Sequence, residues 1–413
     1  MIIKWVNDGQ KYDDSVELLG FKFETKDTKT VDVYTATGEK TGRTETVVNF
    51  VGFTTNKNDD VLLSLPKHYK VHDAEEDARE IFNCIGKYLQ KSATSYIGNL
   101  YDDFKSNYPF AAFFEIYNYY LSYGLYKENL VVESTDSIGK VNWKKTINKS
   151  SKFWINGNIF MFPLYRDKNL FYNNFISDCM IFAIDYTIDK FSMFISLEPT
   201  GEKQAEYSFI DNKDNVVTIL KQYRYQTFKD IDVTLIDALI DFYSDLTLGG
   251  DYYFKHYSFS SIWEDMVMEY LHAYYKKVHN GEIVIDKLNG KKLDFKKQHF
   301  HVNAARPDQY IEPDYYCIDG QDQLIFDAKY YTSVNGVNYK QVAYLYMLKD
   351  IIDESTGNKK YPVTYSALIL PSEKRYSKEH YSSKPGYTSK ENMISISEEY
   401  FDIREVLRHY NGK

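Results

Sequence analysis

The feature that most restricts the fold of this sequence is a pair of short apolar segments joined by an Asp-Gly turn, within residues 311–331. The first segment runs from Asp314 to Ile318, and the second ends in the triplet Asp327-Ala-Lys329. Two such segments around an Asp-Gly turn are typical of a β-hairpin. Side chains two residues apart lie on the same face of a strand, so Asp327 and Lys329 share a face. The pattern therefore predicts a carboxylate and an ammonium together at the end of an apolar strand.

This group of charged side chains indicates metal-dependent phosphodiester chemistry. Asp314 begins the neighbouring strand and can place a second carboxylate beside Asp327. Two carboxylates suit a hard divalent cation, normally Mg²⁺, with Mn²⁺ as a substitute. Such an ion polarises a phosphate and lowers the pKa of a bound water. Lys329 would then orient or deprotonate that water and offset developing negative charge.

The Asp-x-Lys triplet alone is a weak indication, because it occurs at four other places in the chain. Those copies begin at Asp27, Asp103, Asp211 and Asp294. Only the copy at Asp327 has both an apolar strand before it and a Pro-Asp strand upstream. A surface hairpin with a cross-strand ion pair remains the alternative. Pro307-Asp308 is a rival for the first acid, but no clean apolar strand follows it, so Asp314 is preferred.

Two amphipathic segments, predicted as helices over about 261–277 and 338–352, flank the hairpin. Glu264 borders the apolar stripe of the first helix and could hold a metal ion or its water. Ser261 and Glu264 also match a capping box, in which Glu264 would instead satisfy a backbone N–H. In the second helix, Gln341 either orients water or phosphate in the site or is an ordinary solvated glutamine, and the pattern favours the latter.

Two clusters of basic residues could contact DNA phosphates. The first consists of Lys287, Lys291, Lys292, Lys296, Lys297, His299 and His301, in a predicted hairpin over 287–303, and the second of Lys144, Lys145, Lys149 and Lys152. A solvated protein surface explains both clusters equally well. The net charge of −9 gives no global attraction to nucleic acid, so DNA binding needs such local patches or a basic partner.

The chain has 413 residues, more than one hydrophobic core usually includes, so at least two domains are expected. A Gly-Gly turn within residues 246–253 marks the predicted boundary. Residues 1–245 are predicted to form a β-rich mixed domain, with strands over 1–70, helices over 73–89, 110–123 and 230–245, and short strands and loops over 140–220. Residues 246–413 are predicted to form a small mixed sheet flanked by helices. The expected fold class is therefore α+β to α/β.

Several protein classes are not indicated. The three cysteines are far apart and form no CxxC pair, so neither a zinc site nor a disulfide framework is predicted. No GxxxxGK[ST] loop is present, so the chain should not hydrolyse nucleotide itself. Neither a signal peptide nor a long apolar run is evident, and a cytoplasmic protein without membrane association is expected.

Several segments together resemble a known family over roughly residues 45–350. They are the composite PD…DAKYY…YKQxxYxY that begins at Pro313, Asn49-Phe-Val-Gly-Phe with Leu65-Pro-Lys67, the segment Gly139–Lys149, and Ser261-Ile-Trp-Glu264. The composite resembles the nuclease domain of McrC-type restriction subunits. The whole set is similar, more closely, to the LlaJI family of restriction endonucleases.

The resemblance implies a PD-(D/E)XK nuclease domain with an αβββαβ core. It places the metal on Asp314, Asp327 and the backbone carbonyl of Ala328, with Lys329 as the catalytic lysine. It also assigns site roles to Glu264 and Gln341. The second acid is Asp where many related nucleases have Glu, a substitution that is common in the class.

The resemblance further implies a phage-defence system that cleaves double-stranded DNA. The N-terminal domain would dock onto a partner AAA+ GTPase of the McrB type, which would supply DNA recognition and translocation. Two alternatives remain: a stand-alone type II-like endonuclease that recognises DNA through residues 1–245, and a non-catalytic adaptor that retains the nuclease fold.

Overall fold

The computed structural model has a mixed α+β fold in two compact units. It describes residues 2–13, 19–35, 39–58, 60–93, 103–247, 251–334, 336–390 and 393–413. Unit 1 comprises Met1–Tyr108, Met193–Ile195 and Thr247–Lys413, and unit 2 comprises Pro109–Ser192 and Ser196–Leu246. Among the described residues, no helix is long and apolar enough to cross a lipid bilayer.

The first part of unit 1 is β-rich, as the sequence predicts. Its elements are β1 (Ile3–Asn7), β2 (Thr28–Tyr34), β3 (Lys40–Val48), β4 (Val51–Thr55), β5 (Val61–Leu65), α1 (Ala74–Ala93) and β6 (Phe104–Ser106). The apolar strands β4 and β5 are almost wholly buried and pair antiparallel around the polar turn predicted there. In α1, Ala78, Ile81 and Ile85 lie in the core, which confirms the helix predicted from their spacing.

Unit 2 contains helices, a small sheet and a separate hairpin. Its elements are α2 (Phe110–Tyr123), β7 (Glu128–Ser134), β8 (Lys140–Val141), α3 (Trp143–Lys149), β9 (Ser151–Ile155), β10 (Asn158–Phe162), β11 (Arg166–Tyr172), α4 (Phe175–Lys190), α5 (Lys213–Gln226) and α6 (Asp230–Asp245). The helices α2 and α6 have the predicted bounds. The helices α4 and α5 occupy a region predicted as short strands and loops. The reason is that the core of α4, Cys179–Ile184, is buried on all sides and lacks helical periodicity.

The second part of unit 1 contains the predicted mixed sheet. Its elements are β12 (Tyr253–His256), α7 (Phe259–Tyr274), β13 (Tyr275–His279), β14 (Glu282–Ile285), β15 (Tyr315–Asp319), β16 (Asp322–Ala328), α8 (Tyr339–Leu348), β17 (Thr364–Ser372), β18 (Tyr376–Ser382), β19 (Ser395–Asp402) and α9 (Ile403–Tyr410). The central sheet has the order β15-β16-β17-β19-β18. Strands β16, β17 and β19 are parallel, whereas β15 is antiparallel to β16 and β18 is antiparallel to β19.

Helices cover both faces of this central sheet. Tyr344 and Leu348 of α8 pack against Ile325 on one face. On the other side, the indole of Trp263 in α7 donates to the carbonyl oxygen of Ile369, and the Tyr315 hydroxyl donates to the carbonyl oxygen of Glu264. The hairpin β15–β16 is therefore buried, and the surface-hairpin alternative is wrong.

Three local predictions in this region differ from the structure. The helix predicted over 261–277 ends at Tyr274, and β13 begins at the next residue. The basic segment 287–303 is not a hairpin, and its backbone pairs with neighbouring segments through isolated bridges, such as Lys296 with Tyr316. Four strands lie between α7 and α8 in the structure. Strands β15 and β16 belong to the central sheet, whereas β13 and β14 form a separate two-stranded sheet. The expected αβββ order therefore lacks one strand in the central sheet.

The domain organisation also differs from a simple split near residue 246. The N-terminal sheet has the order β1-β5-β4-β12-β6, so β12 lies inside it and pairs antiparallel with β4 and β6. Residues 1–108 consequently belong to the same unit as 247–413, and residues 109–246, apart from Met193–Ile195, form the separate unit. Gly52 permits this pairing: its φ is +140°, and a Cβ there would lie 1.9 Å from the carbonyl oxygen of Phe254.

Candidate active site

The predicted acids and lysine converge at the carboxyl end of β16. The Oδ2 atom of Asp314 accepts a hydrogen bond of 2.9 Å from the backbone N–H of Ala328. Lys329 follows the strand, and its Nζ contacts Oδ2 of Asp327 and lies 3.0 Å from the carbonyl oxygen of Ala328. The antiparallel pairing of β15 with β16 brings the start of one strand beside the end of the other, so that Asp314 and Ala328, 14 positions apart, meet.

Asp327 is a fully buried carboxylate, with 0% of its side chain exposed. Its Oδ1 atom has no hydrogen-bond partner among the described residues, although Nζ of Lys340 lies 3.5 Å away. An ionised carboxylate is costly to bury unless cations compensate it. The Asp327 carboxylate is therefore held between two lysines and still has a free acceptor atom.

Lys329 lies in a strongly electrostatic environment. Burial lowers the pKa of its ammonium group, while the nearby carboxylates of Asp314 and Glu264 raise it and Lys340 lowers it further. Removal from water is the largest of these effects, so the net shift is downward. A lysine with a lowered pKa gives up a proton more readily, as a residue that orients or deprotonates water requires.

Glu264 lies near the same group and does not cap its helix. The N-cap of α7 is Ser258, so Glu264 lies in the second turn and the capping-box interpretation is wrong. Its Oε2 atom accepts from Nζ of Lys297 at 3.1 Å. Burial, followed by the charge of Asp314, raises the pKa of Glu264, and Lys297 opposes this shift. The negative charge of Asp314 is therefore felt at the Glu264 carboxylate.

Gln341 is buried within the fold rather than solvated, so the interpretation as an ordinary solvated glutamine is wrong. Its Nε2 donates to the carbonyl oxygen of Ile325 and to Oγ of Ser366, both at 2.9 Å. These contacts join α8 to the neighbouring strands β16 and β17. The Oε1 atom of Gln341 is buried without a hydrogen-bond partner among the described residues. The Gln341 side chain thus attaches α8 to the sheet at Ile325, two residues before Asp327.

The donor set fits a hard divalent cation. Two carboxylates and one backbone carbonyl are oxygen ligands, and Mg²⁺ usually binds through one or two carboxylates while keeping several waters. The free Oδ1 atom of Asp327 is an acceptor that such an ion would satisfy. No set of three or more His, Cys, Asp or Glu side chains is arranged as a metal site within the described part of the chain. A bound ion would therefore rely on Asp314, Asp327 and the carbonyl of Ala328.

Asp308, the rival for the first acid, lies outside this group, whereas Lys340, which the sequence does not single out, belongs to it. Asp308 is exposed in a turn of the loop before β15. Lys340 contacts Asp327 and lies over the ring of Tyr344, 5.2 Å from its centre. Its position beside Gln341 in the sequence gives no indication of this role, because the contact depends on how α8 crosses the sheet.

Many residues of the two basic clusters are engaged by acids. In the first cluster, Lys287 pairs with Glu405 at 3.1 Å and Lys291 with Asp319 at 2.6 Å. Lys297 pairs with Glu264, and His299 contacts Glu312. In the second cluster, Lys145 contacts Glu133. Lys297 is the basic residue of these clusters that adjoins the candidate site.

Comparison with known proteins gives one family match. A family model described as LlaJI restriction endonuclease matches residues 50–379. No curated protein matches the chain. A solved structure of Thermococcus gammatolerans McrB AAA+ hexamers with bound McrC contains a chain of 12% sequence identity, with a TM-score of 0.36. That alignment covers 99% of the present chain and 98% of the solved one.

Proposed function

We propose that this chain, which belongs to the LlaJI restriction endonuclease family, is the Mg²⁺-dependent DNA endonuclease subunit of an McrBC/LlaJI-type restriction system. The proposal rests above all on one observation: Asp314, Asp327 and Lys329 converge around Ala328 at the end of a buried strand. Family membership supports DNA as the substrate and phage defence as the setting. The site supports phosphodiester hydrolysis as the reaction.

A PD-(D/E)XK core is part of this proposal. The hairpin β15–β16, the helix α8 and the parallel strand β17 supply the later part of such a core, and α7 packs on the opposite face. The positions of Asp314 just before β15 and of Asp327 near the end of β16 support this part of the proposal. The strand missing from the central sheet is the departure from the expected pattern.

In the proposed reaction, Mg²⁺ would be held by Asp314, Asp327 and the carbonyl oxygen of Ala328. When bound, the ion supplies Lewis-acid polarisation of the scissile phosphate and lowers the pKa of a coordinated water. Lys329, released from Asp327, would orient or deprotonate the attacking water and stabilise charge on the phosphate. Glu264 would hold a metal-bound water through its carboxylate, with Lys297 restraining its side chain.

The DNA backbone would be bound partly by Lys297 and Lys340, which adjoin the site. The acidic chain as a whole repels DNA at long range. Two lysines provide little of the affinity that six to ten phosphate contacts give a DNA-binding protein. The chain would therefore depend on a partner for stable DNA binding, and we propose an AAA+ GTPase of the McrB type.

An exposed apolar hairpin in unit 2 supports partner binding. Within the described part of the chain, strands β9 and β10 pair only with each other, and their large apolar side chains lie on the surface. The exposed residues are Phe153, Trp154, Ile155, Ile159, Phe160 and Phe162, with Trp154 at 73% and Phe160 at 53%. Such a patch usually marks an interaction site, and exposed aromatic residues often dominate binding energy. We propose that this hairpin contacts the partner GTPase.

Partner binding can be tested at the hairpin. The double variant Trp154→Ser/Phe160→Ser should lose binding to the purified GTPase, measured by analytical ultracentrifugation. Tyr225→Ser is the matched control, because Tyr225 is 85% exposed at the end of α5 and should be dispensable. Equal binding by the double variant and the control would remove the hairpin from the proposed interface.

Nuclease activity is tested with the full-length chain, the partner GTPase, GTP, Mg²⁺ and supercoiled plasmid. We expect Asp327→Asn to abolish cleavage, because it removes the buried carboxylate that would hold the ion. Asp308→Asn should cleave normally, because Asp308 is exposed away from the converging residues. Unchanged cleavage by Asp327→Asn would refute the site.

Two other results would favour the alternative functions. Site-specific cleavage without the partner would favour a stand-alone endonuclease. The absence of Mg²⁺ or Mn²⁺ binding in calorimetry would favour an adaptor.

A further inference from the structure

The residue after the proposed catalytic lysine leaves the central sheet and is bound by the N-terminal sheet. Tyr330 directly follows Lys329, and its hydroxyl oxygen accepts a hydrogen bond of 2.8 Å from the backbone N–H of Lys67. The Lys67 ammonium lies 4.3 Å from the centre of the Tyr330 ring. Tyr330 is thus held through both its hydroxyl group and its aromatic face.

The residues that hold Tyr330 come from two neighbouring parallel strands. Strands β1 and β5 pair in parallel, with Asn7 opposite Leu65, so their carboxyl ends lie at the same edge of the N-terminal sheet. Asp8 follows β1 directly and Lys67 follows β5 by two residues. Nζ of Lys67 donates to Oδ2 of Asp8 at 2.6 Å. The parallel register is therefore what brings these two oppositely charged side chains together.

This ion pair is buried and makes further contacts with the same segment. The side chains of Lys67 and Asp8 are 9% and 8% exposed. Burial and the nearby Asp8 carboxylate both raise the pKa of the Tyr330 hydroxyl. A buried ion pair is favourable only when its geometry and its other hydrogen bonds are satisfied. Tyr330 is one of the groups that satisfies it, so the positions of the pair and of the tyrosine depend on each other.

The contact continues over the next two residues. Nε2 of His68 lies 3.2 Å from the carbonyl oxygen of Tyr331. At Gly9, a Cβ atom would lie 2.9 Å from Oγ1 of Thr332, and the φ of +81° also favours glycine. The loops after β1 and β5 therefore lie against the segment that follows Lys329 in the chain.

Tyr330 also contacts the helix that holds the third acid. Its ring centre lies 5.4 Å from that of Phe259, the first residue of α7. Glu264 lies on the same helix, one and a half turns later. One tyrosine is thus in contact with the N-terminal sheet, adjoins Lys329 in the chain, and packs on the start of α7.

We propose that Asp8, Lys67 and Tyr330 form a clasp that positions Lys329 for catalysis, and that the N-terminal sheet is for this reason a structural part of the nuclease site. This inference rests on the proposed nuclease function and deepens it. The clasp fixes the backbone immediately after Lys329, and the hydrogen bond from the Lys329 N–H to the carbonyl oxygen of Ile369 fixes the backbone before it. Restraint on both sides limits where the ammonium can reach. A displacement of about 1 Å at such a site can cost about a hundredfold in rate.

The test compares steady-state plasmid cleavage by full-length variants with the partner GTPase and Mg²⁺. Lys67→Met keeps the length of the side chain and removes its charge, and Tyr330→Phe keeps the ring and removes the hydroxyl group. We expect each to lower kcat about tenfold or more while KM for DNA stays within twofold, because the clasp does not contact DNA. The double variant should have a kcat no lower than that of the more impaired single variant, because both substitutions disrupt the same clasp.

Lys255→Met is the matched control for a loss of stability alone. Lys255 donates to Asp27 at 2.6 Å, with exposures of 2% and 0%, and Asp27 also accepts from the Tyr257 hydroxyl at 2.8 Å. This Asp–Lys–Tyr group lies in the same unit, and among the described residues its hydrogen bonds do not involve the segment after Lys329. We expect Lys255→Met to be destabilised as much as Lys67→Met and to keep kcat within twofold when assayed well below its unfolding temperature.

Two results would overturn the clasp. The first is the same kcat for Lys67→Met and Lys255→Met, whether lowered or normal. The second is a hydrogen-exchange result, and it is needed if the wild-type protein fails to cleave DNA. Such a failure would count against the proposed function and would leave the clasp undecided by kinetics. Hydrogen exchange at the Lys329 amide then decides: the clasp requires faster exchange in Lys67→Met than in Lys255→Met, and equal exchange would refute it.

Discussion

Replacing Lys329 with Met should destabilise the metal-free protein, and Mg²⁺ should largely reverse the loss. Lys329 is 13% exposed and contacts Asp327, whose side chain is fully buried. Removing one member of a buried ion pair typically costs about 3–5 kcal/mol, because the other charge is left uncompensated. Lys340 remains 3.5 Å from Oδ1 of Asp327 and recovers part of this, so we expect a loss of about 2–3 kcal/mol.

The role of Mg²⁺ follows from the same geometry. An ion bound to the Asp327 carboxylate supplies the positive charge that Lys329 supplied. Binding at a concentration of 100 times Kd stabilises a folded protein by about 2.7 kcal/mol, which is close to the expected deficit. The gain from Mg²⁺ should therefore be larger in Lys329→Met than in wild type, where the lysine must first be displaced.

Urea unfolding in EDTA and in saturating Mg²⁺ measures both quantities. Lys340→Met is the control, since Lys340 is half exposed and should cost less than about 1 kcal/mol. Lys329→Met should also lower cleavage by about 10²–10⁴-fold in Mg²⁺, although it is folded there. A deficit below about 0.5 kcal/mol in EDTA, or one that Mg²⁺ leaves unchanged, would refute the reasoning.

Three further predictions concern other buried groups. His256 is buried, and burial lowers its pKa to about 4, below the unfolded value of 6.5. The unfolded chain thus binds the proton more readily, and stability should fall by about 3 kcal/mol as pH decreases from about 6.5 to 4. His256→Gln should remove this dependence in urea titrations, and an unchanged pH profile would contradict it. Gly52→Ala should yield insoluble or strongly destabilised protein, because its Cβ would overlap the Phe254 carbonyl oxygen, and a normal melting temperature would disprove this. Gln341→Leu should cost about 1–3 kcal/mol in urea unfolding, because the Ser366 hydroxyl and the strand carbonyls lose their donor, and a neutral effect would argue against that bridging role.

Features that depend on neighbouring residues could be predicted from the sequence. Helices α2 and α6 have one apolar face at helical spacing, and their bounds match the prediction. The hairpin β15–β16 follows from two apolar runs around a Gly turn, and the contact of Asp314 with the end of β16 follows from antiparallel pairing. Local patterns suffice there, because the contacts are between segments that are adjacent in the chain.

Features that depend on distant contacts could not be predicted in this way. Strand β12 is only four residues long and pairs with strands about 150 and 200 residues earlier in the chain. The core of helix α4, Cys179–Ile184, is buried on all sides, so this apolar run lacks the periodicity that identifies a surface helix. The contact of Lys340 with Asp327 depends on the crossing of α8 over the sheet. The clasp likewise joins residues that are more than 260 positions apart.

The position of β12 between β4 and β6 affects how fragments of this protein would behave. A fragment that ends before residue 251 would leave the backbone groups of β4 exposed along a hydrophobic edge, which promotes aggregation. A fragment that begins at residue 251 would carry β12 as an N-terminal extension without β4 and β6, the strands with which it pairs. During synthesis, too, the first sheet must wait until the ribosome has made about 150 further residues. A minimal protein must therefore keep β12 together with β4 and β6, and also Met193–Ile195, because Phe194 stacks on Phe53 of β4.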